Sequence, residues 1–286
     1  MLTNIKKNLK IYSILILFLA NIIIFYSLYY ITDSSLTVAF LDVGQGDATF
    51  IKAPGGVQML VDGGANGSVL RELGQVMPFY DRSINVVLAT HADQDHIGGL
   101  VEVLKRFKVD LFIRSNATSS SAVYAKLESL IKEKGIKEEI IVSPKIISLG
   151  SGVSFDIIFP TQNTAGWETN EASLVGKLVY GQNSFLLTGD APQLIEKYLV
   201  GKYGDFLASD VLKVGHHGSK NSSAELFVGT VSPTYAVISA GLDNKYGHPN
   251  QEVIDIFTQF KEKVLETLGG GMIIFQSDGQ NIRVSN

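Results

Sequence analysis

The stretch THADQDHIGG, residues Thr90–Gly99, is the part of the sequence that decides the fold. An apolar run precedes it and an amphipathic run follows it, which predicts a buried strand, a ligand-bearing loop and the start of a helix. A polar loop that only caps a helix needs one carboxylate and no imidazole. Here two imidazoles and two carboxylates fall within six residues, at His91, Asp93, Asp95 and His96. The sequence therefore favours a metal site over a simple cap.

Composition limits what such a site can contain. The chain has 286 residues, 45% hydrophobic and 18% charged, which predicts one large domain or two small ones. It has no cysteine, so disulfides and thiolate ligands are excluded and any metal must be held by histidine and carboxylate. Three of the 24 Lys and Arg residues precede Thr32 and none of the 28 Asp and Glu residues does, so the remainder carries a net charge of −7. A general polyanion-binding surface is not indicated.

The N-terminal segment predicts a membrane anchor. No residue from Ile11 to Ile31 is charged. At about 1.5 Å per residue, such a helix is long enough to cross a hydrocarbon layer of about 30 Å. Lys6, Lys7 and Lys10 precede the apolar run, which by the positive-inside tendency places the N-terminus in the cytoplasm and the rest of the chain outside.

A cleavable signal peptide is the alternative interpretation of this segment. Its apolar region would end in small residues at the cleavage site, whereas this run ends in the bulky Leu28–Ile31. We therefore expect an uncleaved, single-pass anchor. The predicted domains are a short tail and transmembrane helix at 1–33 and a globular hydrolase domain at 34–286.

The order of predicted elements indicates the architecture. Each half of the globular part is strand-rich at first and then alternates helix with strand, which predicts two packed sheets with helices on their outer faces. This is an α/β (α+β) fold arranged as a four-layer α/β/β/α sandwich. Polar motifs follow the predicted strands at Asp42–Asp47, Asp62, His91–His96, Asp190, His216–His217 and His248. We expect these motifs to gather at one edge.

Histidine and aspartate ligands suit Zn, Mn or Fe, and seven or so candidate ligands predict two ions rather than one. Two adjacent ions can activate a bridging water and stabilise the oxygen on which charge develops. This arrangement is typical of enzymes that hydrolyse phosphoesters and some acyl bonds.

Six motifs, in order, carry a resemblance to a known family. They are FLDVGQGDATFI (40–51), LVDGG (60–64), THADQDHIGGL (90–100), LLTGD (186–190), LKVGHHGS (212–219) and the pair SAG (239–241) and YGHP (246–249). Together they resemble the metallo-β-lactamase superfamily and are similar to the C-terminal metallo-β-lactamase-like domain of the ComEC family of DNA-uptake (competence) proteins. The resemblance covers Ser35–Asn286 and implies the four-layer sandwich of that superfamily.

The resemblance implies a ligand set. His91 and Asp93 would bind a first ion, Asp95 and His96 would bind a second, and Asp190 would bridge both. The superfamily usually has histidine where this chain has Asp93. The first site is therefore expected to be rich in oxygen ligands, with Mn beside Zn as the candidate metal and one or two ions bound.

Other residues have more than one interpretation. Either His216 or His217 is expected to complete the ligand set. The expected catalytic residues are Asp95, His217 and His248, although His248 could equally be a metal ligand, a proton donor to the leaving group or a turn residue. Asp62 is expected to orient a ligand rather than to bind metal.

The implied function is an anchored extracytoplasmic phosphodiesterase or nuclease that acts on DNA, with metal-bound hydroxide attacking phosphorus. Its partners would be DNA or another phosphodiester, the membrane and a DNA-uptake machinery. Two alternatives stay open. One is a hydrolase of a nucleotide or small ester, since the fold does not fix the substrate; the other is a non-catalytic DNA-uptake module.

Overall fold

The computed structural model describes residues 2–32 and 35–285, with side chains described for 8–26 and 35–285. It separates into two units, an N-terminal helical segment and the domain that begins at Leu36. The predicted boundary between residues 33 and 34 lies outside the described residues, as do the side chains of Lys6 and Lys7. The division of function between the two segments stays a prediction.

The N-terminal unit is one helix, α1 (Leu2–Thr32). Its segment Asn8–Tyr26 has a mean hydropathy of 2.2 over 19 residues. By length and composition this helix can cross a membrane. The expectation of one apolar N-terminal helix is confirmed.

The domain consists of two sheets and six helices within the described residues. The strands are β1 (Leu36–Phe40), β2 (Thr49–Lys52), β3 (Gln58–Val61), β4 (Ser83–Ala89), β5 (Lys108–Ser115), β6 (Lys137–Ile141), β7 (Lys145–Gly150), β8 (Val153–Phe159), β9 (Val175–Tyr180), β10 (Asn183–Leu187), β11 (Val211–Lys213), β12 (Tyr235–Ile238), β13 (Lys263–Glu266), β14 (Ile273–Ser277) and β15 (Ile282–Ser285). The helices are α2 (Ser68–Val76), α3 (Gln94–Arg106), α4 (Ala122–Glu133), α5 (Gln193–Tyr203), α6 (Glu225–Val231) and α7 (Gln251–Gln259).

The two sheets pack face to face, and buried apolar side chains from both sheets fill the space between them. The first has the order β15-β14-β1-β2-β3-β4-β5-β6, and the second has the order β13-β12-β11-β10-β9-β8-β7. Phe275 lies between them, with its ring edge-on to Phe40 at 5.9 Å and to Phe185 at 5.8 Å. Each buried side chain of this size contributes about 1.5–3 kcal/mol relative to leaving it exposed.

The outer faces of both sheets are covered by helices. Residues of α2, α3 and α4, such as Leu73, Leu100 and Leu127, pack on the first sheet. Residues of α5, α6 and α7, such as Leu199 and Phe227, pack on the second sheet. The predicted four-layer α/β/β/α sandwich is confirmed.

Strand direction explains why the polar motifs gather together. Strands β3 to β6 run parallel in the first sheet, and β10 to β13 run parallel in the second. Strand β1 runs in the same direction as β3, because each is antiparallel to β2. The motifs therefore follow the carboxyl ends of strands that finish side by side. We call this the site edge.

Two strands at the ends of the second sheet carry little signal in the sequence. Strand β7 alternates buried and exposed residues, and β13 has four residues that are half-buried or exposed. An edge strand is paired on one side only, so its burial pattern is weak. These two strands were not predicted.

A buried carboxyl in α5 gives the domain a testable pH dependence. Glu196 is buried and accepts hydrogen bonds from the backbone N–H groups of Ser223 and Ala224, both at 2.7 Å. Burial raises the pKa of Glu196 to about 7, although these hydrogen bonds oppose the rise. Below the unfolded pKa of 4.5 the carboxyl contributes its full stability, and this contribution is lost as the pH rises through about 7.

We expect the free energy of unfolding to fall by about 3 kcal/mol from this group between pH 4.5 and pH 8. The variant Glu196→Gln keeps one acceptor oxygen but cannot titrate, so its stability should depend less on pH by that amount. Urea unfolding of both proteins across this range measures the difference. Equal pH dependences in the two proteins would contradict the prediction.

Candidate metal centre

Asp190 lies at the middle of a group of imidazoles at the site edge. It directly follows β10 and is buried. Its Oδ1 lies 3.3 Å from His96 Nε2, and its Oδ2 lies 3.6 Å from His217 Nε2. The same Oδ2 lies 3.8 Å from His216 Nε2 and 3.9 Å from His91 Nε2. One carboxylate thus faces four imidazoles that come from two loops of different sheets.

The four polar side chains after β4 differ in burial: the two histidines are buried and the two aspartates are partly exposed. Helix α3 begins at Gln94, so His96 lies in its first turn and packs with the ring of His91 at 4.1 Å between ring centroids. Asp95 Oδ2 is 3.4 Å from a nitrogen of a third ring, the Nε2 of His217, and the Asp95 side chain is 31% exposed. Asp93 precedes the helix; its Oδ2 is 3.7 Å from His91 Nε2, and its side chain is 40% exposed.

Four buried ligand atoms at this edge have no hydrogen-bond partner among the described residues. This holds for Nε2 of His91, His96 and His217 and for Oδ1 of Asp190. Buried polar atoms are nearly always paired, so four unpaired atoms facing one space fit a cation. Within the described residues, His91, His96 and Asp190 form one group that could hold a metal ion, and Asp95, His96 and His217 form another. The donor set is therefore positioned to bind metal.

Electrostatics at the centre also favour a cation. Burial alone would raise the pKa of Asp190, but the charges of His96 and His217 outweigh it and hold the pKa well below the usual value. Burial would lower the pKa of His96, but Asp190 and Asp62 raise it well above its usual value. The pKa of His217 is raised to about 10 against its burial, chiefly by Asp190. Ionised carboxylates here demand positive charge, which a metal ion can supply in place of protons.

Asp62, directly after β3, orients the ligand loop. It accepts hydrogen bonds from Thr90 N–H at 2.8 Å and Thr90 O–H at 2.7 Å. Its Oδ2 also lies 2.9 Å from His96 Nδ1. This contact places the Nδ1 proton of His96 toward Asp62 and leaves Nε2 free for a metal. Asp62 thus has the contacts of an orienting residue, although it also forms, with Asp47 and His96, a group that could hold a metal ion, so its orienting role stays a prediction.

Replacing Asp62 with asparagine should weaken metal binding by about 10- to 100-fold, because the orientation and basicity of His96 depend on the carboxylate. Competition between the protein and a chromophoric chelator measures the affinity. The matched control is Asp278→Asn in the exposed turn before β15, which should bind metal as the wild type does. Unchanged affinity in the Asp62→Asn variant would rule out this role.

A buried ion pair contacts the ring of His217 at its Nδ1 atom. Asp47 Oδ2 lies 2.8 Å from Lys213 Nζ, and Asp47 Oδ1 lies 3.1 Å from His217 Nδ1. The same Nδ1 is 3.0 Å from the carbonyl oxygen of Ser239. Burial would raise the pKa of Asp47, but the charges of Lys213 and His217 hold it below its usual value. Sequence analysis did not identify Lys213, although a lysine inside the buried strand β11 was a usable signal.

The two histidines after β11 have different surroundings. Both have left-handed backbone conformations, with φ of 49° at His216 and 54° at His217, which are uncommon for residues other than glycine. His217 is buried among the ligand atoms, whereas the side chain of His216 is 24% exposed and its ring lies 5.7 Å from that of His248. His248 in turn stacks on Tyr246 at 5.7 Å. Of the two candidates, His217 has the geometry of a ligand.

Of the eight predicted site residues, five belong to the metal-binding groups and three lie around them. His91, Asp95, His96, Asp190 and His217 supply atoms to the metal-binding groups among the described residues. The other predicted residues, Asp93, His216 and His248, lie around these groups without belonging to them.

A cavity opens beside the centre and can admit a substrate. Its volume is about 460 Å³. It is lined by Gln45, Ala65, Gln94, Asp95, Asp243, Asn244, Lys245 and Tyr246. Asp95 therefore contacts both the ligand group and the open space.

Two packed sheets with a His and Asp centre at the carboxyl ends of their strands define the metallo-β-lactamase class of fold. The chain belongs to the metallo-β-lactamase superfamily, whose family model matches residues 41–241. It is 32% identical over 256 residues to "ComE operon protein 3" of Bacillus subtilis (strain 168), covering 84% of this chain and 33% of that protein. It is 40% identical over 124 residues to "Competence protein ComA" of Neisseria gonorrhoeae, covering 43% of this chain and 18% of that protein. The resemblance found in the sequence is confirmed.

These relatives are longer proteins, and the chain spans at most a third of their length. Among solved structures, the chain is similar to CmlA, a diiron β-hydroxylase from Streptomyces venezuelae. The TM-score is 0.52 at 14% identity, with 81% of this chain and 52% of that chain covered. At this identity the likeness shows a shared fold.

Proposed function

We propose that the protein is a membrane-anchored, metal-dependent phosphodiesterase of ComEC type whose substrate is DNA. The observation that carries this proposal is the group of unpaired buried ligand atoms around Asp190, next to an open cavity. The relatives named for competence support DNA as the substrate and a DNA-uptake machinery as the partner. With a net charge of −7 beyond the anchor, any DNA contact would be local rather than spread over the surface.

In this proposal the ligands divide into two sets that share Asp190. His91 and Asp93 would hold one ion, while Asp95, His96 and His217 would hold the other. Imidazole and carboxylate donors suit Zn and Mn. The side chain of Asp93 is 40% exposed, so the first ion would be the more weakly held of the two.

Ions bound there would supply Lewis acidity, which activates water and stabilises charge on phosphate oxygens. The protein supplies positioning and proton transfer. Asp95 faces both the ligand group and the cavity, where it can accept a proton from the attacking water. The ring of His248 lies 5.7 Å from that of His216 at the margin of the ligand group, where its protonated form can give a proton to the leaving oxygen. His217 would hold the second ion together with Asp95 and His96.

The direct test offers the purified full chain single-stranded DNA, double-stranded DNA and a generic phosphodiester, with Mn or Zn added. We expect turnover that depends on metal and is removed by a chelator. Bound metal without turnover of any of the three substrates would refute the proposal and favour a non-catalytic DNA-uptake module.

A second candidate is a hydrolase of a nucleotide or small ester. The observation that favours it is the size of the cavity, about 460 Å³, within the range of small-molecule sites. Adding a cyclic nucleotide and an aryl ester to the same assay separates the two candidates. Faster turnover of either compound than of DNA would favour this alternative.

The proposed location is extracytoplasmic, with α1 as the anchor. Because the natural chain has no cysteine, an Asp278→Cys variant offers a single thiol in an exposed turn. We expect a membrane-impermeant maleimide to label it in intact cells. Labelling that needs cell lysis would place the domain in the cytoplasm.

A further inference from the structure

The edge of the first sheet opposite the metal centre has its own surface chemistry. Strands β1, β4, β5 and β6 begin there, at Leu36, Ser83, Lys108 and Lys137. The register confirms this, since Ser83 pairs with Lys108 and Leu111 pairs with Lys137. We call it the basal edge. It contains no residue of the proposed metal centre.

Two aromatic side chains project from the basal edge. Phe79 and Tyr80 lie in the loop between α2 and β4 and are 84% and 68% exposed. Their rings contact each other edge to face at 5.4 Å. Adjacent exposed aromatics of this kind are typical of segments at a membrane–water interface, where an apolar ring and a polar tip both find suitable surroundings.

Basic side chains surround these aromatics. The segments 78–82, 105–110 and 133–137 contain six Lys and Arg and three Asp and Glu, whereas the domain as a whole is acidic. Two of the six cations are paired, Lys105 with Glu102 at 2.6 Å and Lys108 with Asp110 at 3.1 Å. With Asp81, Glu133 and these two carboxylates counted against the six, this edge keeps an excess of two positive charges.

The basic residues also form a depression that fits an anionic group. It has a volume of about 370 Å³ and is lined by Arg106, Phe107, Lys108, Val109, Lys134 and Ile136. Three cations stand around an apolar floor. Such a pocket matches a lipid phosphate with its glycerol backbone.

The covalent path from the anchor favours the same edge. The chain from Tyr26 to Leu36 spans at most about 35 Å even when fully extended. A folded domain of this size is about 45 Å across. Since β1 begins at the basal edge, a chain anchored through α1 keeps this edge within reach of the bilayer. The covalent tether raises the effective concentration of the basal edge at the membrane surface.

We propose that the basal edge docks on an anionic lipid surface, with Phe79 and Tyr80 at the interface and with Arg106, Lys108 and Lys134 on lipid phosphates. This inference rests on the membrane anchor proposed above. Docking directs the site edge away from the bilayer, so that the metal centre opens toward the aqueous side.

The test uses the full chain in nanodiscs of phosphatidylcholine alone or mixed with phosphatidylglycerol. A nitroxide on Pro78→Cys reports the basal edge and keeps both aromatics, and a nitroxide on Leu242→Cys is the control. Leu242 is 70% exposed in the loop after β12, at the site edge. We expect the Pro78 label to be shielded from a water-soluble nickel chelate in anionic nanodiscs, and the Leu242 label to stay accessible.

Two sets of variants carry the Pro78 label to test the docking residues. Phe79→Ser with Tyr80→Ser should restore access of the nickel chelate. Lys108→Gln and Lys134→Gln should each lower the docked fraction about fivefold relative to the undocked one. A label at Pro78 that is as accessible as the one at Leu242 in anionic nanodiscs would overturn the docking alone. Failure of the chain to enter nanodiscs at all would overturn the anchor, and the docking with it.

Discussion

Replacing Asp190 with alanine should lower metal affinity and phosphodiester turnover by more than about 100-fold, the upper range for residues that only support a ligand. Asp190 Oδ1 and Oδ2 lie within 4 Å of four imidazoles, so no other carboxylate in the described residues has comparable contacts with the set. Without it, the imidazoles of His91, His96 and His217 would lose the buried carboxylate that all three Nε2 atoms face.

Two measurements check this prediction: metal content by mass spectrometry, and kcat/KM for a generic phosphodiester. The control is Asp205→Ala, which removes an exposed carboxylate between α5 and β11, outside the ligand motifs, and should change neither quantity. Full metal content with unchanged kcat/KM in Asp190→Ala would refute the assignment of the centre.

The second large effect concerns stability. Replacing Lys213 with methionine should lower the free energy of unfolding by about 3–5 kcal/mol, because it leaves the carboxylate of Asp47 buried without its cation. For a domain of this size that corresponds to a fall in Tm of about 10 °C. Metal affinity should fall as well, since Asp47 would no longer be held against His217 Nδ1.

A double variant separates the ion pair from simple packing. Adding Asp47→Asn to Lys213→Met removes the uncompensated charge, so the double variant should be more stable than Lys213→Met alone. Lys202→Met replaces an exposed lysine in α5 and should change stability by less than about 0.5 kcal/mol. A Lys213→Met protein as stable as the Lys202→Met protein would contradict the prediction.

The sequence was sufficient for the fold and for the position of the site. Each polar motif follows an apolar strand, and parallel strands finish at one edge, so the meeting of His91 with Asp190 follows from pattern alone. The resemblance then supplied an order of ligands that pattern could not. The apolar N-terminal helix was equally clear, because an uncharged run such as Ile11–Ile31 is long enough to span a bilayer as a helix.

The choice between His216 and His217 could not be made from the sequence. It depends on two successive residues with positive φ, which direct one ring into the centre and leave the other near His248. Backbone conformations of this kind are set by surrounding packing rather than by the residues themselves. Lys213 was not identified from the sequence for a related reason. Its partner Asp47 lies far away in the sequence, in the loop between β1 and β2 of the other sheet, and only the packing of the two sheets makes them a pair.

The ligands around Asp190 follow strands of both sheets, so they can bind a metal only after both sheets have folded. His91 and His96 belong to the first half and Asp190 and His217 to the second, so the group around Asp190 is complete only once both sheets have packed together. A chain that crosses a membrane unfolded cannot retain a metal in this group during transport. In the proposed extracytoplasmic location, loading would occur on the outer side, where bound metal would stabilise the folded domain by an amount that grows with the logarithm of the free metal concentration. The metal ions available in that compartment, rather than those in the cytoplasm, would then decide which ion the domain carries.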